Sequence, residues 1–177
     1  IKAGHILELT PFMDDNAGAW RNLFFSKALA VNEFAADNSY GVTPGTYGVP
    51  IDIMTIQMVY NKDLYKQLGY DPDKPPATLE QLLEVGKKIK QANGQGLVSG
   101  WGEVWMVDCF ANNYAFNIMG QDKVLATIRG EVPYTDPDWI KVFSVIKQLQ
   151  DNGVLAKGIV SMINKTAEQT FIQSGSV

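Results

Sequence analysis

The sequence predicts an α/β fold, because segments with helical spacing of apolar residues alternate with short apolar segments of strand length. The clearest strand candidate is Ile53 to Tyr60, which is apolar on both faces apart from Thr55 and Gln57 and therefore suits a strand covered on both sides. The clearest helix candidate is Thr78 to Gln91, which has a capping-box start, one apolar face and a Gly shortly after its end. We expect that helix to pack against the sheet that contains the strand.

The first part of the chain has a different character. Residues 1–47 are rich in aromatic side chains and irregular, with a turn predicted at Thr10-Pro11 and one or two short helices between Trp20 and Leu29. The stretch Asn38 to Pro50 is rich in Gly, Pro, Ser and Thr, a composition typical of a loop or a junction. A boundary between two substructures is therefore expected near Pro50.

After the strand candidate, turn and capping signals divide the rest of the chain into further elements. Asn61 is expected to cap a short helix that ends at Gly69. Five more elements are predicted, in order: a strand at "GLVSG", a helix marked by Phe110, Tyr114 and Ile118, a hairpin "KVLATIRGEVPYT" turning at Arg129-Gly130, a helix from Asp136 to Gly153, and a last helix that begins with a box at Thr166 and Gln169 and stops at Gly175.

Composition excludes several classes of function. The chain has 177 residues, 46% of them apolar, and a net charge of −4 without a run of Lys or Arg, so we expect neither nucleic acid nor an anionic membrane surface as a partner. One Cys and one His are too few for a Cys/His metal site. Because the chain starts at Ile1 rather than Met, we expect it to be a fragment of a longer protein.

Four segments resemble one family in their order along the chain. "GVPIDIMTIQMVYNKDLYKQLGYDPDKPPATLEQLLEVGKKI", "GQDKVLATIRGEV", "VIKQLQDNG" and "AEQTFIQSG" are similar to the extracellular solute-binding proteins of ABC importers, family 1, of the maltodextrin or sugar-binding type. The resemblance implies a periplasmic-binding-protein-like fold of type II, an α/β class. Residues 1–52 would be the remnant of the first lobe with its hinge, and residues 53–177 most of the second lobe.

The same resemblance implies a function. The protein would capture a solute, a sugar or oligosaccharide, outside the cytoplasm by closing two lobes about a hinge at Gly48 to Asp52. Its partners would be the solute and the permease subunits of an ABC importer. A lipid anchor could be attached to a segment that precedes Ile1. It would have no catalytic residue, metal or cofactor.

Asp52 is the first candidate ligand-binding residue. A carboxylate offers only acceptors, so beside an apolar strand it must reach water or receive donors such as sugar hydroxyls. The resemblance places Asp52 on the floor of the ligand cleft. The alternative is a turn cap or an ion pair with a nearby Lys. Tyr47 could line the hinge side of the same cleft, or pack against the junction.

The segment "GWGEVW" is the second candidate. Trp101 and Trp105 flank Glu103, and flat rings beside a carboxylate suit a pyranose, whose C–H faces lie on a ring while its hydroxyls donate to the acid. We expect at least one of the two rings in the cleft. The alternative is that one or both tryptophans are core residues.

The residues are also compatible with two other functions. A carbohydrate-active enzyme could use Glu103 with Asp52 or Asp108 as a carboxylate pair for glycoside hydrolysis. An interaction domain without a small ligand would follow if no cleft exists.

Overall fold

A computed structural model describes residues 1–174, which form two compact units. The first unit comprises residues 1–56, and the second begins at Gln57. The division predicted from the sequence falls slightly earlier, between Asp52 and Ile53. The assignment of the two parts to a first and a second lobe stays a prediction.

The first unit consists of short elements. They are the helical turns α1 (Thr10–Met13), α2 (Asp15–Gly18) and α3 (Ser26–Ala30), a 3-10 turn (Arg21–Leu23), and the two-residue strands β1 (Glu33–Phe34) and β2 (Gly45–Thr46). The strands are antiparallel, with Glu33 opposite Thr46 and Phe34 opposite Gly45. The predicted turn at Thr10-Pro11 is instead the first turn of α1, where Pro is tolerated because its missing N–H would have had no helical partner.

Polar contacts hold this small unit together. The Arg21 guanidinium pairs with the carboxylates of Asp14 and Glu33, and it also donates to the Thr46 hydroxyl at 3.2 Å. These contacts raise the pKa of Arg21, the hydrogen bond to Asp14 being the largest cause. One guanidinium thus joins the start of the unit to both of its strands.

The second unit is mainly helical. Its elements are α4 (Lys62–Gln67), α5 (Leu79–Gln91), α6 (Val104–Ile128), α7 (Pro137–Asp151), a 3-10 turn (Ile159–Ser161) and α8 (Asn164–Ser174), with α6 interrupted at Gly120. Three predicted helix starts are confirmed by side-chain caps: the side chains of Asn61, Thr78 and Asp136 each accept a backbone N–H of the first turn.

Three apolar clusters form the core of this unit. The largest surrounds Trp101, Leu149 and Ile159. A second lies between α6 and α7 and contains Val124 and Trp139. A third joins α4 and α5. The core therefore sits among the helices, and α6 contacts two of the three clusters.

The predicted central strand is wrong. Residues 53–60 have no regular secondary structure, and residues 53–59 are exposed. Within residues 1–174, no backbone hydrogen bond is found for residues 53–59. An apolar run forms a strand only where neighbouring strands accept and donate along its edge. Helix α5 is confirmed, but it packs on α4 and the third cluster rather than on a sheet formed by this segment.

Three further predictions need correction. The strand expected at residues 96–100 is reduced to one parallel bridge, Leu97 to Leu155. The expected hairpin is the end of α6: Gly130, with φ of 80°, follows the helix in the left-handed conformation that ends many helices. Helix α8 begins at Asn164, two residues before the predicted box at Thr166. Its predicted stop, Gly175, lies outside the described residues.

Candidate functional site

The segment between residues 100 and 103 lies directly before α6 and is fixed against residues 162–164. The Gly102 N–H donates to the Met162 carbonyl at 2.7 Å. A Cβ on Gly102 would stand 2.8 Å from that same carbonyl oxygen, and one on Gly100 would stand 2.6 Å from the backbone nitrogen of Asn164. The two glycines around Trp101 are thus needed for close approach of two backbones.

Trp101 lies in the core rather than on an open surface. Its side chain is 7% exposed, belongs to the largest apolar cluster, and packs edge-on against Phe110 with ring centroids 4.9 Å apart. Its indole N–H is buried without an acceptor among the described residues. The packing role that the sequence left open is therefore the one this geometry favours for Trp101.

Glu103 joins two distant parts of the chain. One carboxylate oxygen accepts the backbone N–H of Asn164 at 2.7 Å, and the other accepts the indole N–H of Trp105 at 3.0 Å. Hydrogen bonding to the charged form lowers the pKa of Glu103, the Asn164 N–H being the larger cause and Trp105 the second. The side chain is therefore an anion at neutral pH, with both of its oxygens already receiving donors.

Trp105 is the exposed aromatic ring of this segment. It lies in the first turn of α6 and is 47% exposed, while its N–H is held by Glu103. A half-exposed indole with a fixed N–H offers a flat apolar surface whose orientation is already set. This is the kind of surface on which a sugar ring can stack.

Asp52 and Tyr47 belong to the first unit. Asp52 is exposed and lines an open groove of about 670 Å³ together with Phe25, Pro50 and Ile53. Tyr47 is half-buried: its ring meets Phe34 edge-on at 5.8 Å, and its hydroxyl donates to the Thr43 carbonyl. Of the five predicted site residues, the structure brings Glu103 and Trp105 into direct contact.

Sequence reasoning missed Asn164 as a residue of this site. The Ala167 N–H donates to the Ile163 carbonyl, so Asn164 is the first helical residue of α8, and its own N–H has no partner within the helix. Glu103 supplies that partner from 61 positions away. The only local signal was the pair Asn164 and Glu168, whose side chains are hydrogen-bonded at 2.9 Å.

Two features are absent from residues 1–174. No cluster of three or more His, Cys, Asp or Glu side chains in this part of the chain is arranged to hold a metal ion. None of its helices has both the length and the apolar character required to cross a membrane.

Curated relatives of this chain are binding proteins. The sn-glycerol-3-phosphate-binding periplasmic protein UgpB of Yersinia enterocolitica is 23% identical over 133 residues, which cover 75% of this chain and 30% of that protein. UgpB of Shigella dysenteriae is 28% identical over 109 residues, covering 59% of this chain and 24% of that protein. The chain thus spans less than a third of the length of these relatives.

Solved structures match nearly the whole chain. A chitin oligosaccharide binding protein has a TM-score of 0.71 at 24% identity, and a protein studied for xylan utilization by Caldanaerobius polysaccharolyticus has a TM-score of 0.74 at 16% identity. Each match covers 99% of this chain and 41% of the other. A probable secreted solute-binding lipoprotein from Streptomyces coelicolor has a TM-score of 0.70 at 18% identity, covering the whole chain and 42% of that protein. These likenesses confirm the predicted periplasmic-binding-protein-like fold class.

The model of one protein family also matches the chain. It is described as bacterial extracellular solute-binding protein, and it matches residues 1–169 of the 177. The chain therefore belongs to the family of bacterial extracellular solute-binding proteins, and this membership confirms both the predicted family resemblance and the predicted extracytoplasmic location.

Proposed function

We propose that the complete protein containing this sequence captures a neutral sugar or oligosaccharide and delivers it to the permease subunits of an ABC importer. The observation that carries the proposal is the half-exposed Trp105 ring held in place by Glu103. A pyranose stacks on such a ring through its C–H face, while its hydroxyls donate to nearby carboxylates and carbonyls. Asp52 and Tyr47 remain proposed contributors from the first unit.

The charge of the site favours a neutral solute over a phosphorylated one. Glu103 is ionised at neutral pH, and within residues 1–174 it takes part in no ion pair with Lys or Arg. A phosphate group beside this carboxylate would meet a like charge, which is costly at a binding interface. We therefore place carbohydrate ahead of sn-glycerol 3-phosphate, the solute named for the curated relatives.

Binding without bond cleavage is also part of the proposal. A general acid in glycoside hydrolysis needs a raised pKa, so that it holds a proton at working pH. The pKa of Glu103 is shifted the opposite way, and both of its oxygens accept hydrogen bonds. These properties weigh against Glu103 as the general acid of a catalytic pair with Asp52.

Calorimetry with the complete protein tests the proposal. Xylotriose, chitotriose and sn-glycerol 3-phosphate would be titrated separately, and each oligosaccharide would be recovered and checked for cleavage. We expect saturable binding of a neutral oligosaccharide, which is recovered intact. Binding of sn-glycerol 3-phosphate alone would contradict the proposed solute class, and cleavage of the oligosaccharide would contradict a pure binding role.

A further inference from the structure

We infer that Glu103 is a positioning residue, which ties the orientation of the Trp105 ring to the first turn of α8. The inference rests on the proposed function for its consequence in binding. Its structural basis is independent of any solute, because it consists of contacts between residues of this chain.

The first support is the division of work between the two carboxylate oxygens of Glu103. One oxygen accepts the Asn164 N–H at 2.7 Å and the other accepts the Trp105 indole N–H at 3.0 Å. A planar carboxylate that receives a donor on each side sets the direction of both donors at once. The orientation of the Trp105 ring is consequently tied to the place where α8 begins.

The second support is the backbone contact beneath this pair. Gly102 donates to the Met162 carbonyl at 2.7 Å, and Gly100 leaves no room for a side chain beside Asn164. The two segments are thus held together by backbone contacts as well as by Glu103. A carboxylate at the amino end of α8 is also electrostatically favourable, because that end of a helix carries partial positive charge.

Two roles of Glu103 can be distinguished experimentally: it can position the Trp105 ring, or it can contact the solute directly. If Glu103 acts through Trp105, its effect on binding requires the indole N–H. If Glu103 instead binds solute hydroxyls itself, its effect persists when that N–H is removed. The variant Trp105→Phe removes the N–H and keeps an aromatic ring, so it distinguishes the two roles.

The solute-free test uses the indole and amide resonances of the ¹⁵N-labelled complete protein. Glu103→Gln puts an amide in place of a carboxylate, and it should shift the Trp105 indole signal and the Asn164 amide signal together. The Trp139 indole, which is bonded to Thr127 elsewhere in the fold, should stay in place and reports that the variant is folded. Glu131→Gln is the matched control, since Glu131 pairs with Arg129 beyond the other end of α6.

A second pair of variants tests the link from the side of α8. Asn164→Pro removes the N–H that Glu103 accepts, at a first helical position that suits the φ angle of Pro, and it places a ring carbon beside the Glu103 carboxylate. Asn164→Ala keeps that N–H and removes only the side chain. The Trp105 indole signal should move in Asn164→Pro and stay in Asn164→Ala. Equal behaviour of the two variants, or an unmoved Trp105 signal in Glu103→Gln, would overturn the inference.

The binding test is a double-mutant cycle with the neutral trisaccharide bound by the wild type. Glu103→Gln should weaken binding by about 2- to 10-fold, the range for one lost hydrogen bond, and should have no further effect in the Trp105→Phe background. An undiminished effect in that background would show direct contact and overturn the positioning role. If the wild type binds none of the probes while the indole signal still moves, the proposed function fails and the positioning of Trp105 by Glu103 is supported.

Discussion

A tryptophan indole is hydrogen-bonded at each end of helix α6, Trp105 from the helix itself and Trp139 from α7, and the two rings have different roles. At its start, the indole N–H of Trp105 is accepted by the Glu103 carboxylate, and the ring is 47% exposed. Near its end, the indole N–H of Trp139 is accepted by the Thr127 hydroxyl at 2.8 Å, and the ring is 3% exposed. One tryptophan is held at the surface, and the other is part of the core between α6 and α7.

The difference lies in the choice of acceptor. A carboxylate buried beside Trp139 would lose its hydration, whereas a neutral hydroxyl satisfies the N–H at a small desolvation cost. At the surface the carboxylate of Glu103 stays hydrated and binds the indole more strongly than a neutral acceptor would. The Trp105 ring is therefore held at the surface by a charge, whereas the Trp139 ring is held in the core by a neutral group.

The largest expected effect concerns the buried end. Trp139→Ala should lower the free energy of unfolding by about 3–5 kcal/mol, because it leaves a cavity between α6 and α7. Urea denaturation followed by circular dichroism would measure the change. Trp105→Ala is the control and should cost much less, since its ring is already half in water. Equal losses from the two variants would remove the distinction between the two ends.

A smaller effect is expected from the acceptor at the buried end. Thr127→Val keeps the volume but leaves the Trp139 N–H without its acceptor, so it should destabilise the fold by about 1–3 kcal/mol. Thr127→Ser retains the hydroxyl and should recover part of that loss. Denaturation midpoints of the two variants give the comparison. A Val variant as stable as the Ser variant would show that this hydrogen bond does not matter.

The smallest effect comes from ion pairs beside the same end of α6. The Lys123 ammonium nitrogen lies 2.8 Å from a carboxylate oxygen of Asp138 and 2.7 Å from one of Asp136. Together with Lys141, it lowers the pKa of Asp138 to about 2. Because the folded-state pKa is depressed, the stabilisation is complete above the ordinary value near 3.8 and is lost as the pH falls toward about 2.

The variant Asp138→Asn isolates this contribution. Its unfolding free energy should depend less steeply on pH between about 4 and 2 than that of the wild type. Lys123→Gln should reduce the same slope, because it removes the principal partner of Asp138. Thermal denaturation at several pH values would measure both variants. An unchanged slope in both would contradict the pKa assignment.

Local signals in the sequence predicted the starts of α4, α5 and α7 correctly. Thr78 caps α5 through a bond to the Gln81 N–H, and Asp136 caps α7, as residue type and spacing indicate. Both caps need only neighbours within a few positions. The family resemblance extended this local information to the fold class, which the likeness to solved structures confirms.

Contacts between distant segments were the part that the sequence did not reveal. The run from Ile53 to Tyr60 has the composition of a strand, but pairing partners decide whether a strand forms. The chemistry of Glu103 indicates a site residue, yet its contact with Asn164 spans 61 positions and no local pattern encodes it. The burial of Trp101 could not be predicted either, because a Trp between two glycines is equally compatible with a core position and a surface position.

The most direct test of the role of Trp105 is a calorimetric titration of the complete protein and its Trp105→Ala variant. The ligand is the neutral trisaccharide that the wild type binds. The variant should bind about 10- to 100-fold more weakly, corresponding to about 1.5–3 kcal/mol for the lost apolar contact. Phe116→Ala is the control, because Phe116 is a similarly exposed aromatic side chain on α6. Weakened binding in Trp105→Ala alone is the predicted result, and wild-type affinity in that variant would contradict the central role of Trp105.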